Sequence, residues 1–115
     1  GEVYTWGRGD DGRLGHGDNG WKYVPRIIGT TSLHGQVVIQ VTCGSYHTAA
    51  VCSNGDLYTW GGGMYGKLGH GNESGHSTPK RVEALVGLPI LHIACGSRHT
   101  AVITGGGSLY TWGDK

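Results

Sequence analysis

The sequence predicts an all-β fold built from repeats of four short antiparallel strands, the blades of a β-propeller, with about two blades in the chain. Three observations carry this. The first is self-similarity, since Tyr4-Thr5-Trp6-Gly7 recurs as Tyr58-Thr59-Trp60-Gly61 and again as Tyr110-Thr111-Trp112-Gly113, at offsets of 54 and 52. The second is that the apolar stretches are short, β-branched or aromatic, and separated by glycine, which leaves no window for a helix of about ten residues. The third is composition: 24 of 115 residues are glycine, against an average near 7%. These glycines keep no three-residue period, prolines number only 3, and 4 Trp and 6 Tyr are spread along the chain. Collagen and a disordered tail are thereby excluded.

Strands are expected near 3–6, 24–28, 37–42, 47–51, 57–60, 78–82, 90–94, 99–103 and 108–112. The first ends in the Trp-Gly motif. The second and sixth carry Pro25 and Pro79 after the Leu14-Gly15-His16-Gly17 and Leu68-Gly69-His70-Gly71 turns. The third holds Val37-Val38-Ile39, and the fourth follows Cys43-Gly44-Ser45 with His47-Thr48-Ala49; the seventh and eighth repeat that order through Cys95-Gly96-Ser97 and His99-Thr100-Ala101. The fifth and ninth are the second and third copies of the Trp-Gly strand. Ser53-Asn54-Gly55-Asp56 reads as a hairpin with two positive-φ residues in a type I′ turn, and Gly105-Gly106-Gly107 fills the same slot one repeat later. Repeat units fall at about 1–54 and 55–106, with the start of a third at 107–115. A four-stranded unit of this size cannot bury both faces alone, which is the mark of a propeller blade. Ala49, Ala50 and Val51, with Ala101, Val102 and Ile103 in the next unit, read as blade-to-blade packing surface. Two blades leave two open faces, so Val51 and Ile103 are expected to be partly uncovered.

Bulk charge points to no polyanion. Lys and Arg number 9 against 8 Asp and Glu, without a basic run longer than Lys80-Arg81, so neither direct nucleic-acid binding nor membrane association is predicted. Cys43, Cys52 and Cys95 form an odd set without C-x-x-C spacing, which favours reduced thiols in the cytoplasm or nucleus. Gly7-Arg8-Gly9-Asp10-Asp11-Gly12 and Gly61-Gly62-Gly63-Met64-Tyr65-Gly66 satisfy G-x-G-x-x-G, but no helix follows them, so no cofactor is expected. Cys43 with His47 and Cys95 with His99 have the residue types of a zinc site. Their repeat spacing puts them side by side on different blades, so no metal is expected. Cys43 and Cys95 are then small buried residues and each His-Thr a pair pinning a strand entry. Trp6, Trp60 and Trp112 are expected in the core. No grouping suits acid, base or nucleophilic catalysis, and the segment is not expected to be an enzyme.

Gly12-Arg13-Leu14-Gly15-His16-Gly17 and Gly66-Lys67-Leu68-Gly69-His70-Gly71, the prolines that follow, and Cys-Gly-Ser-x-His-Thr-Ala at 43–49 and 95–101 resemble the repeats of the regulator of chromosome condensation family. The resemblance implies a seven-bladed propeller of about 360 residues, of which this chain is an excerpt packed against the remaining blades. It implies a protein-interaction scaffold within a larger regulatory protein. Its alternative is guanine-nucleotide exchange on a Ran-like small GTPase, without a cofactor. A third relation is the plant ultraviolet-B photoreceptor, whose motif tryptophan is Ser45 or Ser97 here. Repeats of 54 and 52 residues leave no inserted wedge, so no exchange residue is carried over. Partners are expected to be proteins, a small GTPase or a chromatin protein among them. Positions that differ between units are freer to make individual contacts, which selects Arg8, Asp10, Asp11, Arg13, Trp21, Lys22, Tyr23, Met64, Tyr65 and Lys67 as candidate partner-binding loop residues, the alternative for Trp21 and Tyr23 being that they fold back to cover the blade edge.

Overall fold

The computed structural model describes residues 2–29, 33 and 35–114. Among them the chain forms nine strands: β1 (Tyr4–Gly7), β2 (Lys22–Ile27), β3 (Val38–Cys43), β4 (His47–Cys52), β5 (Leu57–Gly61), β6 (His76–Arg81), β7 (Ile90–Cys95), β8 (His99–Thr104) and β9 (Leu109–Gly113). The expected strands are all present, displaced by two residues at most. All pairing is antiparallel, in three sheets of order β1-β2, β3-β4-β5-β6 and β7-β8-β9. The helical elements are single 3-10 turns.

Sheets and sequence units are out of phase. The complete four-stranded blade runs from Val38 to Arg81, so the boundary drawn at 54/55 falls inside the β4–β5 hairpin. The hairpin keeps its strands paired from His47–Gly61 to Val51–Leu57, whereas the chain changes sheet between β2 and β3 and between β6 and β7. Gly1 and Lys115, which bounded the units, lie outside the described residues.

The β4–β5 turn differs from expectation. Only Gly55 has a positive φ, of 91°, and Asn54 does not. Gly55 N–H donates to Cys52 O and Cys52 N–H to Asp56 O, both at 2.9 Å, which is a three-residue loop with a left-handed glycine and a bulge. The Asn54 side chain accepts from Asp56 N–H at 3.0 Å and so favours this form over the two-residue turn. Thr104, Gly107 and Ser108 repeat the pattern in the next sheet.

The core lies between sheets. All six residues of β4 are buried because each face meets a different neighbour. Ala49 and Val51 pack with Leu57, Val82 and Leu85 and with Ile90, Ile93 and Val102 of the third sheet. Ala50 and Cys52 pack with Tyr58 and Trp60 and with Val3 and Ile28 of the first. A fully buried Val or Leu side chain contributes about 1.5–3 kcal/mol, so these two seams hold the sheets together. Val51 is therefore fully buried, against expectation, while Ile103 is 41% exposed.

The tryptophans are graded by their neighbours. Trp60 is fully buried against Gly15 of the preceding sheet. Gly15 has φ +82°, and a Cβ there would stand 2.7 Å from the indole Nε1. Trp112 rests in the same way on Gly69 and is half-buried. Trp6 is 57% exposed rather than in the core, since no described residue stands before it in the role of Gly15.

Candidate functional site

The repeated polar residues are used inside the scaffold. Thr5 Oγ1 donates to Leu14 O at 2.6 Å and lies 2.9 Å from His16 Nε2; Thr59 donates to Leu68 O at 2.6 Å and lies 2.9 Å from His70 Nε2. With its only proton given to a carbonyl, each threonine must accept from the imidazole, which fixes the Nε2–H tautomer. His16 and His70 thus hold the glycine turns onto the strands.

The His-Thr pair of the Cys-Gly-Ser motif was expected to pin one strand entry. Instead it joins sheets. Thr100 Oγ1 donates to Lys67 O at 2.6 Å and accepts from His47 Nε2 at 2.9 Å, and Thr48 Oγ1 donates to Arg13 O at 2.7 Å. Trp112 Nε1 also donates to Lys67 O, at 2.9 Å. Burial, reinforced by the Lys67 charge, lowers the His47 pKa to about 4, and burial with Lys80 and His76 nearby does the same for His70. Both are neutral. His99, by contrast, is exposed.

Near the contact between β3 and β7 the two Cys-Gly-Ser motifs lie side by side, with Ser45 Oγ 3.0 Å from Ser97 Oγ. Cys43 is exposed rather than buried, because β3 turns alternate side chains outward; Cys95 is half-buried, and burial pushes its thiol up to about 12. Among the described residues no group of three or more His, Cys, Asp or Glu is placed to hold a metal ion. The first G-x-G-x-x-G segment forms one 3-10 turn with Asp11 at φ 66°.

Some of the residues that differ between units gather on one loop face. A cleft of about 670 Å³ is lined by Tyr46, Met64, Tyr65 and Lys67 of the second sheet, by Asp11 from the first and by Arg98 from the third, over a floor of Gly62, Gly63 and Gly75. Cations alternate with aromatic rings along it. Arg13 lies 5.2 Å from the centre of the Tyr46 ring, Lys67 Nζ 5.7 Å from Tyr46 and 5.9 Å from Tyr65, and Arg98 5.6 Å from Tyr65. Such contacts hold both cation and ring in place. Met64 and Tyr65 are 60% and 41% exposed, but Lys67, chosen as a loop contact, is only 2% exposed. Its stem is packed into the wall because its carbonyl anchors Thr100 and Trp112. Arg13 is likewise held, donating to Asp10 O, Ser45 O and Asp11 Oδ2.

Arg8, Asp10 and Trp21 form a second cluster. Arg8 pairs with Asp10 at 2.8 Å, Trp21 Nε1 donates to Asp10 at 3.0 Å, and Arg8 lies 5.6 Å from the indole centre. The Trp21 and Arg8 hydrogen bonds lower the Asp10 pKa. Lys22 pairs with Asp18 at 3.5 Å, and Tyr23 is 87% exposed on β2. Tyr46, Glu73 and Arg98 escaped the sequence reading. Tyr46 and Arg98 occupy the one variable position inside the repeated Cys-Gly-Ser-x-His-Thr-Ala, and comparing that position between units would have found them.

Comparison with known proteins agrees with this geometry. The profile of the Regulator of chromosome condensation (RCC1) repeat matches residues 1–51 and 54–103, and a second profile of the same repeat matches 38–67. The chain is 45% identical over 118 residues to human E3 ubiquitin-protein ligase HERC2, covering 99% of this chain and 2% of that protein. To Ultraviolet-B receptor UVR8 of Arabidopsis thaliana it is 44% identical over 112 residues, covering 96% and 25%. Among solved structures, human WBSCR16 superposes with a TM-score of 0.89 at 32% identity, over 98% of this chain and 28% of that one. Prp20p of Saccharomyces cerevisiae, studied for its binding properties to Gsp1p and histones, gives 0.81 at 27%, over 98% and 28%. The chain thus spans little more than a quarter, or much less, of each of these proteins.

Proposed function

Because this chain belongs to the regulator of chromosome condensation (RCC1) repeat family, we propose that it is a protein-interaction scaffold within a larger regulatory protein and binds its partner through the cleft. One observation carries the reading. Residues common to the units close hydrogen bonds between strands and sheets, whereas the unit-specific Asp11, Tyr46, Met64, Tyr65 and Arg98 meet on one accessible face. Exposed tyrosine, methionine and arginine in a concave setting make the composition of a contact hot spot. The three free cysteines fit a reducing compartment, cytoplasm or nucleus. No helix among the described residues is long and apolar enough to cross a membrane.

The test is quantitative affinity capture with the wild-type chain and a Met64→Ala/Tyr65→Ala variant. Specific partners should be depleted by the variant while its melting temperature stays near wild type. Capture of the same partners in the same amounts would move the contact surface elsewhere. The similarity to Prp20p favours a second reading, nucleotide exchange on a Ran-like small GTPase. Release of a fluorescent guanine nucleotide, left unaccelerated for every small GTPase tried, would dispose of it.

A further inference from the structure

The cleft wall contains a cation without a direct ion pair among the described residues, Asp11 acting on it only from beyond contact distance. Lys67 and Arg13 are equivalent positions, one unit apart. Arg13 finds a carboxylate at Asp11, 3.0 Å away, but the position equivalent to Asp11 in the next unit is Tyr65. Lys67 Nζ consequently has no carboxylate within 4.0 Å among the described residues, and its hydrogen bond there is to Met64 O at 3.2 Å. An ammonium has three protons to donate, and a buried charge without a counter-ion is costly. Lys67 is one of the residues lining the cleft, its Nζ held beside the Tyr46 and Tyr65 rings and close to Gly62, where an added Cβ would stand 3.6 Å from it. The carboxylates nearby are engaged: Asp11 with Arg13, Glu73 with Tyr65 N–H at 2.9 Å, and Asp114 with Arg98 at 3.6 Å.

Building on the scaffold reading, we propose that the cleft takes one carboxylate side chain, Asp or Glu, from an extended segment of the partner protein, with Lys67 as its counter-ion. The incoming carboxylate does for Lys67 what Asp11 does for Arg13. Tyr46 and Tyr65 flank its aliphatic stem, and the exposed Met64 offers an apolar wall to the residue beside it. A phosphate dianion suits the site less well than a singly charged carboxylate, because Asp11 and Glu73 in the lining repel its two charges about twice as strongly. The volume exceeds that of a single carboxylate and accommodates the adjoining peptide.

The experiment is an NMR titration of the intact chain with a terminally blocked Glu-Leu dipeptide, its Gln-Leu counterpart and inorganic phosphate. The Glu probe should give saturable shifts at the Lys67 side chain and the Tyr46 and Tyr65 rings. The Gln probe should bind about tenfold or more weakly, the loss expected for a charge-assisted hydrogen bond. Lys67→Met should cause a similar loss. Tyr65→Asp restores the arrangement of the first unit, in a conformation that Asp11 already adopts at φ 66° against 68° for Tyr65. It should block the Glu probe at least as strongly while the fold is retained. Equal affinity for Glu and Gln probes, undiminished binding by Tyr65→Asp, tighter binding of phosphate, or no saturable shift would each overturn the proposal. The Gln comparison needs no variant. The titration needs no protein partner either, so its failure leaves the scaffold reading to be judged by partner capture alone.

Discussion

A threonine hydroxyl carries one proton, and that single fact sets the protonation state of much of the interior. Thr100 donates to Lys67 O and so requires a proton from His47 Nε2. Protonating His47 would add a second N–H at Nδ1, which is buried and has no acceptor. Burial first, then the Lys67 charge, holds its pKa near 4 against 6.5 in an unfolded chain. Between these values the unfolded state binds more protons than the folded one, so stability is complete above pH 6.5 and falls as the pH drops towards 4. His47 contributes at most about 3 kcal/mol to that fall, and His70 acts in the same direction. Denaturant midpoints measured from pH 7 to pH 4 should decline through this window, and His47→Gln, which keeps a donor without titrating, should flatten the slope. A midpoint independent of pH above 4 would show that these imidazoles do not control stability. His47 could be seen in the sequence as a structural residue, but its partner could not, because a 53-residue separation gives no local sign of which threonine is reached.

The strands were legible because β-branched and aromatic runs alternate with glycine, and repetition checked each assignment twice. Turn type was not. Asn-Gly read as a two-residue turn, but the Asn54 side chain bonds to Asp56 N–H and draws the loop into its three-residue form. Gly55→Ala puts a Cβ on a residue at φ +91°, 3.0 Å from Pro89 Cα, and should cost roughly 1–3 kcal/mol. Gly106→Ala, in the equivalent hairpin, meets nothing within 4 Å and has no positive φ, so it should be close to neutral. Thermal melts of the pair measure the contrast, and equal losses would refute the turn assignment. The cleft was legible in part. Asp11, Met64 and Tyr65 differ between units and lie in loops. Lys67 looked like a plain repeat of Arg13, both being basic, and its distinction comes from residue 65 beside it.

Taken whole, the chain measures 39 × 31 × 18 Å and is closed only in its middle. The β4–β5 residues Val51, Leu57 and Trp60 are at most 1% exposed, while their counterparts Ile103 and Leu109 are 41% and 67% exposed. At the first sheet Tyr4 and Trp6 stand 51% and 57% exposed. Unpartnered apolar sheet faces promote association. In isolation the chain should therefore self-associate with rising concentration in sedimentation velocity experiments. A strictly monomeric, highly stable 115-residue species would contradict this.

The His47–Thr100 bond has a consequence for ancestry. One unit supplies His47 to Thr100 of the unit after it, and Gly15 and Gly69 each bed the tryptophan of the unit that follows. The joint works like a plug and socket of standard gauge. A duplicated unit arrives with both halves of the fitting, so blades could be gained, lost or shuffled whole without recutting their neighbours. Selection is then left free to alter the loop face, one blade at a time.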